Sequence, residues 1–422
     1  MSKVLVNESS LTGIANAIRS KNGTEITYKP SEMAGAIEAI QTGGTVWNEP
    51  PIKDICFWDY DGTLLYSYTL KEAKTLTLLP TPPSHEGLVF QNWNWSLDDI
   101  KQLDRPCDIG ALYTTDTNNT RIYIEVDNYK TITLRPAPLV AGKNITITWG
   151  DGNWDTVSWT WGDPVETSHT YEKSGKYIIE LSCDDGYSLG DQSRQFLSPN
   201  NNLQTCNVVY KIECGTNVRG NNFSMLKRVE TISINEGNYS YDFSGCYRLK
   251  GIVLHGGLNT LIENAFYKCT SIKVICMCKE GTISSLHSFV YYCSALNRLS
   301  FPQNSVTTLY YDACNTCDSI SYIDIPESCT TIYNRALESC GYINKLVVRA
   351  GDSMTINSPF NYASHVIEYY FTADTPPVLT SSDSLKVDGY TQAIYVPAGC
   401  GEAYKTATNW TTYADKIVEM ET

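Results

Sequence analysis

The stretch Ala265-Phe-Tyr-Lys-Cys-Thr-Ser-Ile272 decides the fold, because its pattern returns at a near-constant interval. Cys246, Cys269, Cys293, Cys317 and Cys340 fall 23, 24, 24 and 23 residues apart. Three residues after each comes Leu249, Ile272, Leu296, Ile320 or Ile343, and three further on Ile252, Ile275, Leu299, Ile323 or Leu346. Leu203 and Leu226 extend the series toward the N-terminus. Val366 extends it toward the C-terminus, with Ala363 where the cysteine would stand. Self-similarity at such a period marks one small structural unit per repeat. Each unit is too small to bury its own apolar edge, so the units stack as coils and need caps at both ends. Every coil contributes a short strand, such as Leu249-Lys-Gly-Ile-Val-Leu254, and a tight turn or short helix, such as Glu263–Cys269.

The ladder pattern Ala-Phe-x-x-Cys-x-x-Ile from Ala265 to Ile272 closely resembles the BspA-type leucine-rich repeat of bacterial surface proteins. Thr375-Pro-Pro377, Ile394-Tyr-Val-Pro-Ala-Gly399, Ala403-Tyr-Lys405, Trp410 and Tyr413–Ile417 look like the C-terminal cap of that family. The resemblance implies a solenoid over 194–371 with a cap over 372–422, and a protein that binds rather than catalyses. Its outward strand positions are Lys250, Val253, Lys273, Asn297, Arg298, Tyr322, Asp324, Asn344 and Lys345. The turn tyrosines Tyr291, Tyr292, Tyr310 and Tyr311 are the other candidate contacts. Each of these residues also reads as ordinary solvated surface.

Upstream, residues 111–193 are rich in strand patterns: Arg121–Val126, Thr131–Leu134 and Ile145–Trp149 alternate or run apolar. Trp149-Gly-Asp-Gly152, His169-Thr-Tyr171 and Gly175-Lys-Tyr177 make the segment similar to a PKD-type immunoglobulin-like sandwich. In that family the first turn and the His-Thr-Tyr corner pack together at one end of the sandwich.

Residues 45–110 read as a small α+β unit. Ile55–Trp58 is a strand, Tyr60-Asp-Gly62 a tight turn and Thr63–Tyr68 the returning strand, with Thr69-Leu-Lys-Glu72 at capping-box spacing. Its order of turn-bearing strand, Pro-rich loop and Gly87-Leu-Val-Phe-Gln-Asn-Trp93 resembles the β-grasp-like repeats of bacterial internalins. Residues 1–44 form two short amphipathic helices, with Ile14, Ala17 and Ile18 on one face and Met33, Ala36, Ile37 and Ile40 on the other helix. Glu8–Arg19 and Tyr28–Ile37 resemble a module found at the start of bacteriophage tail and fibre proteins. That likeness implies attachment to other virion proteins. The fold class is therefore a multidomain, β-rich chain: helical module, α+β unit, Ig-like sandwich, then leucine-rich-repeat solenoid.

Composition narrows the partners. The chain of 422 residues carries a net charge of −14 spread along its length, against the clustered cations that nucleic acid or anionic membrane would need. Twenty-nine Tyr beside 10 Phe and 9 Trp suit a recognition surface that must stay soluble, and equally the half-buried faces of β-rich proteins. The start of the sequence has no apolar core of signal-peptide type, and no run reaches membrane-spanning length. Cytoplasmic synthesis, reduced thiols and release by lysis are the resulting expectations.

Catalytic signals are sparse. Asp59-Tyr-Asp-Gly-Thr63 matches the first motif of haloacid-dehalogenase-type phosphatases, and Gly150-Asp-Gly-Asn-Trp-Asp155 imitates their magnesium motif. That chemistry needs a doubly wound parallel sheet, and the intervening sequence lacks its long helices. Cys314-Asn-Thr-Cys317 and Cys276-Met-Cys278 have metal-type spacing, but the repeat register already explains Cys317 as a buried position. No Walker loop, His-Glu-x-x-His or Gly-x-Ser-x-Gly is present, and no cofactor or metal is expected. A depolymerase built on distant carboxylates stays open. The favoured reading is an exposed phage adhesin, in the tail fibre or tail tip, that binds a host-surface glycan or protein and is located in the virion. Trimerisation, as in other fibres, is open because no heptad run imposes it. The alternative is a bacterial cell-surface adhesin of the same repeat class.

Overall fold

The computed structural model describes residues 51–126, 131–140, 142–158, 166–183, 185–189, 207–216, 218–234, 241–255, 263–279, 283, 285–302, 304–360 and 363–421. The amphipathic module expected at 1–44 lies outside them. Residues Pro51–Thr422 make one compact unit.

The first layer of that unit holds β1 (Ile55–Trp58), β2 (Leu64–Tyr68), α1 (Leu70–Ala73), β3 (Leu88–Trp93), α2 (Leu97–Lys101) and β4 (Cys107–Thr115). The sheet order is β2-β1-β4-β3, antiparallel except for the β1–β4 pair. The Asp61-Gly62 turn joins β1 to β2, with Gly62 at φ +84° and the Asp61 carboxylate accepting from the Thr63 amide. Thr69 and Glu72 close a reciprocal capping box on α1, and Ser96 caps α2. Both helices are too short to stand without the sheet beneath them.

The sandwich follows, with β5 (Thr120–Val126), β6 (Thr131–Leu134), β7 (Pro136–Pro138), β8 (Asn144–Thr148), β9 (Trp154–Ser158), β10 (Thr167–Thr170), β11 (Gly175–Ser182) and β12 (Tyr187–Leu189). Its apolar residues alternate inward, as in β5, where Ile122, Ile124 and Val126 are buried between half-exposed neighbours. At one end Trp149 is fully buried and donates its indole N–H to Asp155 Oδ2 at 2.7 Å. His169 stacks on it with centroids 5.0 Å apart, and the Tyr171 hydroxyl donates to the Trp149 carbonyl at 2.8 Å. The Trp-Gly-Asp-Gly turn and the His-Thr-Tyr corner therefore form one packed knot.

Strands β6 and β10 pair only with each other, and the other two sandwich sheets run directly into the solenoid. Strand β13 (Val209–Glu213) pairs antiparallel with β5 and parallel with β15 (Thr231–Ser233), giving the order β15-β13-β5-β11-β8-β9. On the other side β14 (Val218–Asn222) pairs parallel with β12 and with β16 (Tyr241–Asp242), giving β16-β14-β12-β7. One apolar core then continues from Ile122 to Ile417. A free first coil would present open strand edges and an apolar end, and the sandwich covers both, so it serves as the solenoid's N-terminal cap.

The coils build two parallel ladders. One begins with β17 (Gly251–Val253) paired to β18 (Val274–Cys276), and a separate sheet on the same side starts at β19 (Arg298–Ser300). After the short β20 (Thr308–Leu309) of the other ladder it resumes with β21 (Tyr322–Ile325). The other ladder continues through β22 (Thr331–Ile332), β24 (Thr355–Ile356) and β26 (Val378–Leu379), interleaved in the chain with β23 (Gly341–Val348) and β25 (Ser364–Phe371). The sheet ends on β27 (Ala393–Val396), α3 (Gly401–Thr406) and β28 (Ile417–Glu419), with Tyr404 and Trp410 buried over the last coil.

The ladder cysteines have a specific physical role. Cys246, Cys269, Cys293, Cys317 and Cys340 are fully buried beside Leu249, Ile272, Leu296, Ile320 and Ile343. Each thiol donates back to a carbonyl of the preceding coil: Phe223, Phe243 and Phe266 at 3.1 Å, then Val290 and Cys314 at 3.0 Å. Burial pushes the Cys317 thiol up to about 12 and those of Cys269, Cys293 and Cys340 also upward, so they stay protonated as donors. In the next coil, Ser364 Oγ makes the same bond to the Leu337 carbonyl at 2.8 Å. The described cysteines are all free thiols.

Candidate functional site

The solenoid offers two surfaces, and they differ in what reaches them. On the sheet face the first layer folds back over the early coils. Val253, Val274 and Cys276 join the apolar core of that layer rather than facing water. The approach is so close that a Cβ on Gly110 would stand 2.3 Å from Val253, and one on Gly62 2.8 Å from the Lys250 carbonyl. Asn94 donates to the Leu254 and Cys276 carbonyls, both at 3.2 Å, and accepts from the Gly110 amide at 2.8 Å. The Trp95 indole donates to the Met277 carbonyl at 2.8 Å.

Charged clamps finish the docking. The Arg298 side chain, 8% exposed, donates to Asp108 and to the Lys53 carbonyl at 2.6 Å, while Trp58 donates to the same carboxylate at 2.7 Å. Arg105 makes a bidentate pair with Glu327 at 2.8 and 3.1 Å. Asp324, 1% exposed, is held by Arg349 at 2.7 and 2.8 Å and accepts from the Tyr322 hydroxyl at 2.8 Å. The expectation that Val253, Arg298 and Asp324 face solvent is thus corrected. Val253 and Arg298 point outward from the solenoid into the first layer, whereas Asp324 is closed over by Arg349 and Tyr322 of the solenoid itself. Lys250 pairs with Glu230 at 2.7 Å, and Lys273 and Asn344 are exposed. Asn297, Tyr322 and Lys345 line a cleft of about 520 Å³ where the covering layer ends.

The turn face is open. Tyr291 and Tyr292 stack with centroids 4.4 Å apart, and Tyr267 lies 5.5 Å from Tyr291. Tyr310 stacks on Tyr333 at 4.5 Å, with Tyr311 5.4 Å from Tyr333. Between the two groups run Asp312, Arg335 and Glu338, linked by Arg335 to Glu338 at 2.6 Å and to Asp312 at 3.3 Å. Lys268 lies 4.9 Å over the Tyr267 ring. Tyr267, Tyr333 and Arg335 were not among the sequence candidates. Register marks the tyrosines all the same: Tyr267 and Tyr291 stand two residues before their ladder cysteines, and Tyr310 and Tyr333 seven before theirs.

The turns carry a regular backbone signature. One residue before the ladder cysteine, Lys268, Tyr292, Thr316 and Ser339 all have φ between 57° and 65°. Five before it, Asn264, Ser288, Asp312 and Arg335 have φ between 47° and 64°. Left-handed backbone favours glycine, and a side chain there costs about 1 kcal/mol or more. Eight side chains are held at that cost, Ser288 buried and the other seven half-buried or exposed.

The phosphatase-like residues sit apart in the fold. Asp59, 4% exposed, lies in the first layer with His85 Nε2 2.9 Å from its carboxylate. Burial, helped by Asp61, pushes its carboxyl up to about 6 against the opposing pull of His85. Asp151 belongs to the sandwich knot, 2.7 Å from His169 Nε2. Cys276 and Cys278 join different apolar cores. Among the described residues no group of three or more His, Cys, Asp or Glu side chains is placed to hold a metal ion.

This architecture defines a leucine-rich-repeat solenoid with a sandwich cap and a covering layer. Residues 216–344 match, in six copies, the family model described as BspA type leucine rich repeat region, and these coils are similar to that repeat. Among solved structures the chain is similar to a leucine rich cell surface protein from Faecalibacterium prausnitzii. The two are 13% identical over 67% of this chain and 94% of that one, with a TM-score of 0.22. No curated protein matches the chain.

Proposed function

We propose that this chain is a surface adhesin whose repeat solenoid binds a cell-surface glycan or protein through its turn face, without catalysis. The observation that carries the reading is the array of Tyr267, Tyr291, Tyr292, Tyr310, Tyr311 and Tyr333 on successive coils. Tyrosine supplies rigid contact area with a hydroxyl at the tip, the combination favoured on recognition surfaces. The left-handed turn positions support it, since side chains are kept where glycine would cost less. The BspA-type repeats favour placement on a bacterial surface. A second reading places the adhesin on a phage particle, and what favours it is the wording of Glu8–Arg19 and Tyr28–Ile37.

The test uses point variants, because cutting the chain near residue 194 would divide the shared core of sandwich and solenoid. The full chain and a Tyr291/Tyr292/Tyr310/Tyr311→Ser variant are compared for adsorption to candidate cells and on glycan arrays. Adsorption is expected to fall at least about tenfold, the loss of about 1.4 kcal/mol or more. Undiminished adsorption by a folded variant would sink the proposal. Turnover of a phosphomonoester that disappears in Asp59→Asn would refute the non-catalytic part.

A further inference from the structure

A different place in the fold, the cleft where the first layer stops short of the later coils, carries an inference that goes beyond the turn face. Its volume is about 520 Å³, within the range of small-molecule sites. Strands β19, β21, β23 and β25 form its floor, and Lys53, Asp54 and Asp104 of the first layer form its wall.

The cations of this cleft divide into occupied and unoccupied ones. Arg298 is taken by Asp108, Arg349 by Asp324, and Lys53 by Glu72 at 3.0 Å. Lys345 is different. Its ammonium lies 4.0 Å over the Tyr370 ring, and among the described residues no ion-pair contact is made by it. The ring is itself fixed, because its hydroxyl donates to Glu368 at 2.9 Å and it stacks on Tyr395 at 4.6 Å. A cation held by an aromatic face keeps its charge available to an incoming anion, and the cleft walls reduce the screening around it.

The rest of the lining is mixed, with Ile52, Leu70, Pro106 and Val347 supplying apolar surface. Asn297, Ser321, Thr372 and the carboxylate of Asp54 add both donors and acceptors to the cleft. A ligand whose hydroxyls both donate and accept matches such a mixture, and an anionic group matches Lys345. The geometry points to a binding site for an acidic sugar, a pyranose bearing a carboxylate, whose carboxylate pairs with Lys345 while its hydroxyls bond to the cleft walls. A uronate and a sialate share this chemistry.

The full chain is titrated by calorimetry and saturation-transfer NMR with methyl β-glucuronide, the α-methyl glycoside of N-acetylneuraminic acid, methyl β-glucoside and sodium sulfate. At least one acidic sugar is expected to bind with Kd of about 10 mM or tighter. The neutral glucoside and Lys345→Met should each weaken binding at least about tenfold, in line with a charge-assisted hydrogen bond. The acidic sugar that binds identifies which source the site reads. Lys345→Gln serves as the second variant, and each variant's melting temperature should stay within about 2 °C of the parent. Glu402→Gln, 86% exposed and in neither proposed site, should leave this binding unchanged, and because the turn face is read by cell adsorption, a failure of that reading would not imitate a failure here. The inference is overturned if neither acidic sugar binds, if folded Lys345 variants bind equally well, or if sulfate binds as tightly as the sugars.

Discussion

The sheet face and the turn face of this solenoid are built from the same repeat, yet the chain uses them in opposite ways. On the sheet face, Val253, Val274, Cys276 and Arg298 are apolar or paired, and another layer of the same chain seals them. On the turn face, outward residues are aromatic and charged, and the backbone beneath them is strained. In a repeat protein each coil must present both faces, so sequence period alone cannot say which one is free. What separates them is the distant segment around Asn94, Asp108 and Gly110, which fits the strand face and covers it.

The comparison breaks most visibly at Arg298. Removing it in Arg298→Met leaves Asp108 buried with one fewer cation, and a loss of about 3–5 kcal/mol is expected in denaturant unfolding. Arg335→Met on the turn face removes two ion pairs from a side chain 56% exposed and should cost about 0–1 kcal/mol. Equal losses would mean that the covering layer is not the stabilising one.

Asp59 sharpens the same contrast within the covering layer. Its carboxyl is raised from 3.8 to about 6 by burial. Below pH of about 4 it is protonated in folded and unfolded chains alike, and burial costs nothing. Between about 4 and 6 the unfolded chain releases the proton first, so stability falls as pH rises, and above that the loss is complete. The stability advantage of Asp59→Asn over the parent should therefore grow by on the order of 2 kcal/mol from pH 4 to pH 7. A pH-independent difference would show that His85 fully compensates the buried charge.

How much of this was legible in the sequence depends on separation along the chain. The cysteine ladder was legible because a 23- or 24-residue period brings like residues into register. Strands β1 and β2 and their Asp-Gly turn were legible because they are local. The pairing of Arg298 with Asp108 joins residues 190 apart, and that of Arg105 with Glu327 residues 222 apart, and neither leaves a local pattern. The same limit hid the merger of sandwich and solenoid, which rests on β13 pairing with β5. It also hid Ser364, one position beyond Ala363, as the successor of the ladder thiols.

Ser364 suggests how the ladder itself can be perturbed. If the thiol matters as a donor, a hydroxyl should replace it better than an apolar group of larger volume. Cys317→Ser is expected to cost about 1 kcal/mol, whereas Cys317→Val leaves the Val290 carbonyl with the Cys293 amide alone as donor and overfills the site, for about 2 kcal/mol. Comparing the two unfolding midpoints decides the point, and a valine variant more stable than the serine one would assign the cysteine to packing alone.

The smallest effect separates stability from recognition on the turn face. The position before the ladder cysteine is Gly245 in one coil, at φ +75°, and Lys268, Tyr292, Thr316 and Ser339 in the next four. Thr316 is the least suited of these, being β-branched in left-handed backbone. Thr316→Gly relieves that strain, and the greater freedom of glycine in the unfolded chain offsets part of the gain, so a rise of up to about 1 kcal/mol is expected. Tyr292→Gly should give a similar rise, yet it removes one ring of the 4.4 Å stack with Tyr291. Adsorption measured on both variants then discriminates. If only Tyr292→Gly weakens it, the strained turns are kept for the side chains they display. If neither does, the left-handed turns serve the coil geometry and the tyrosines are ordinary surface.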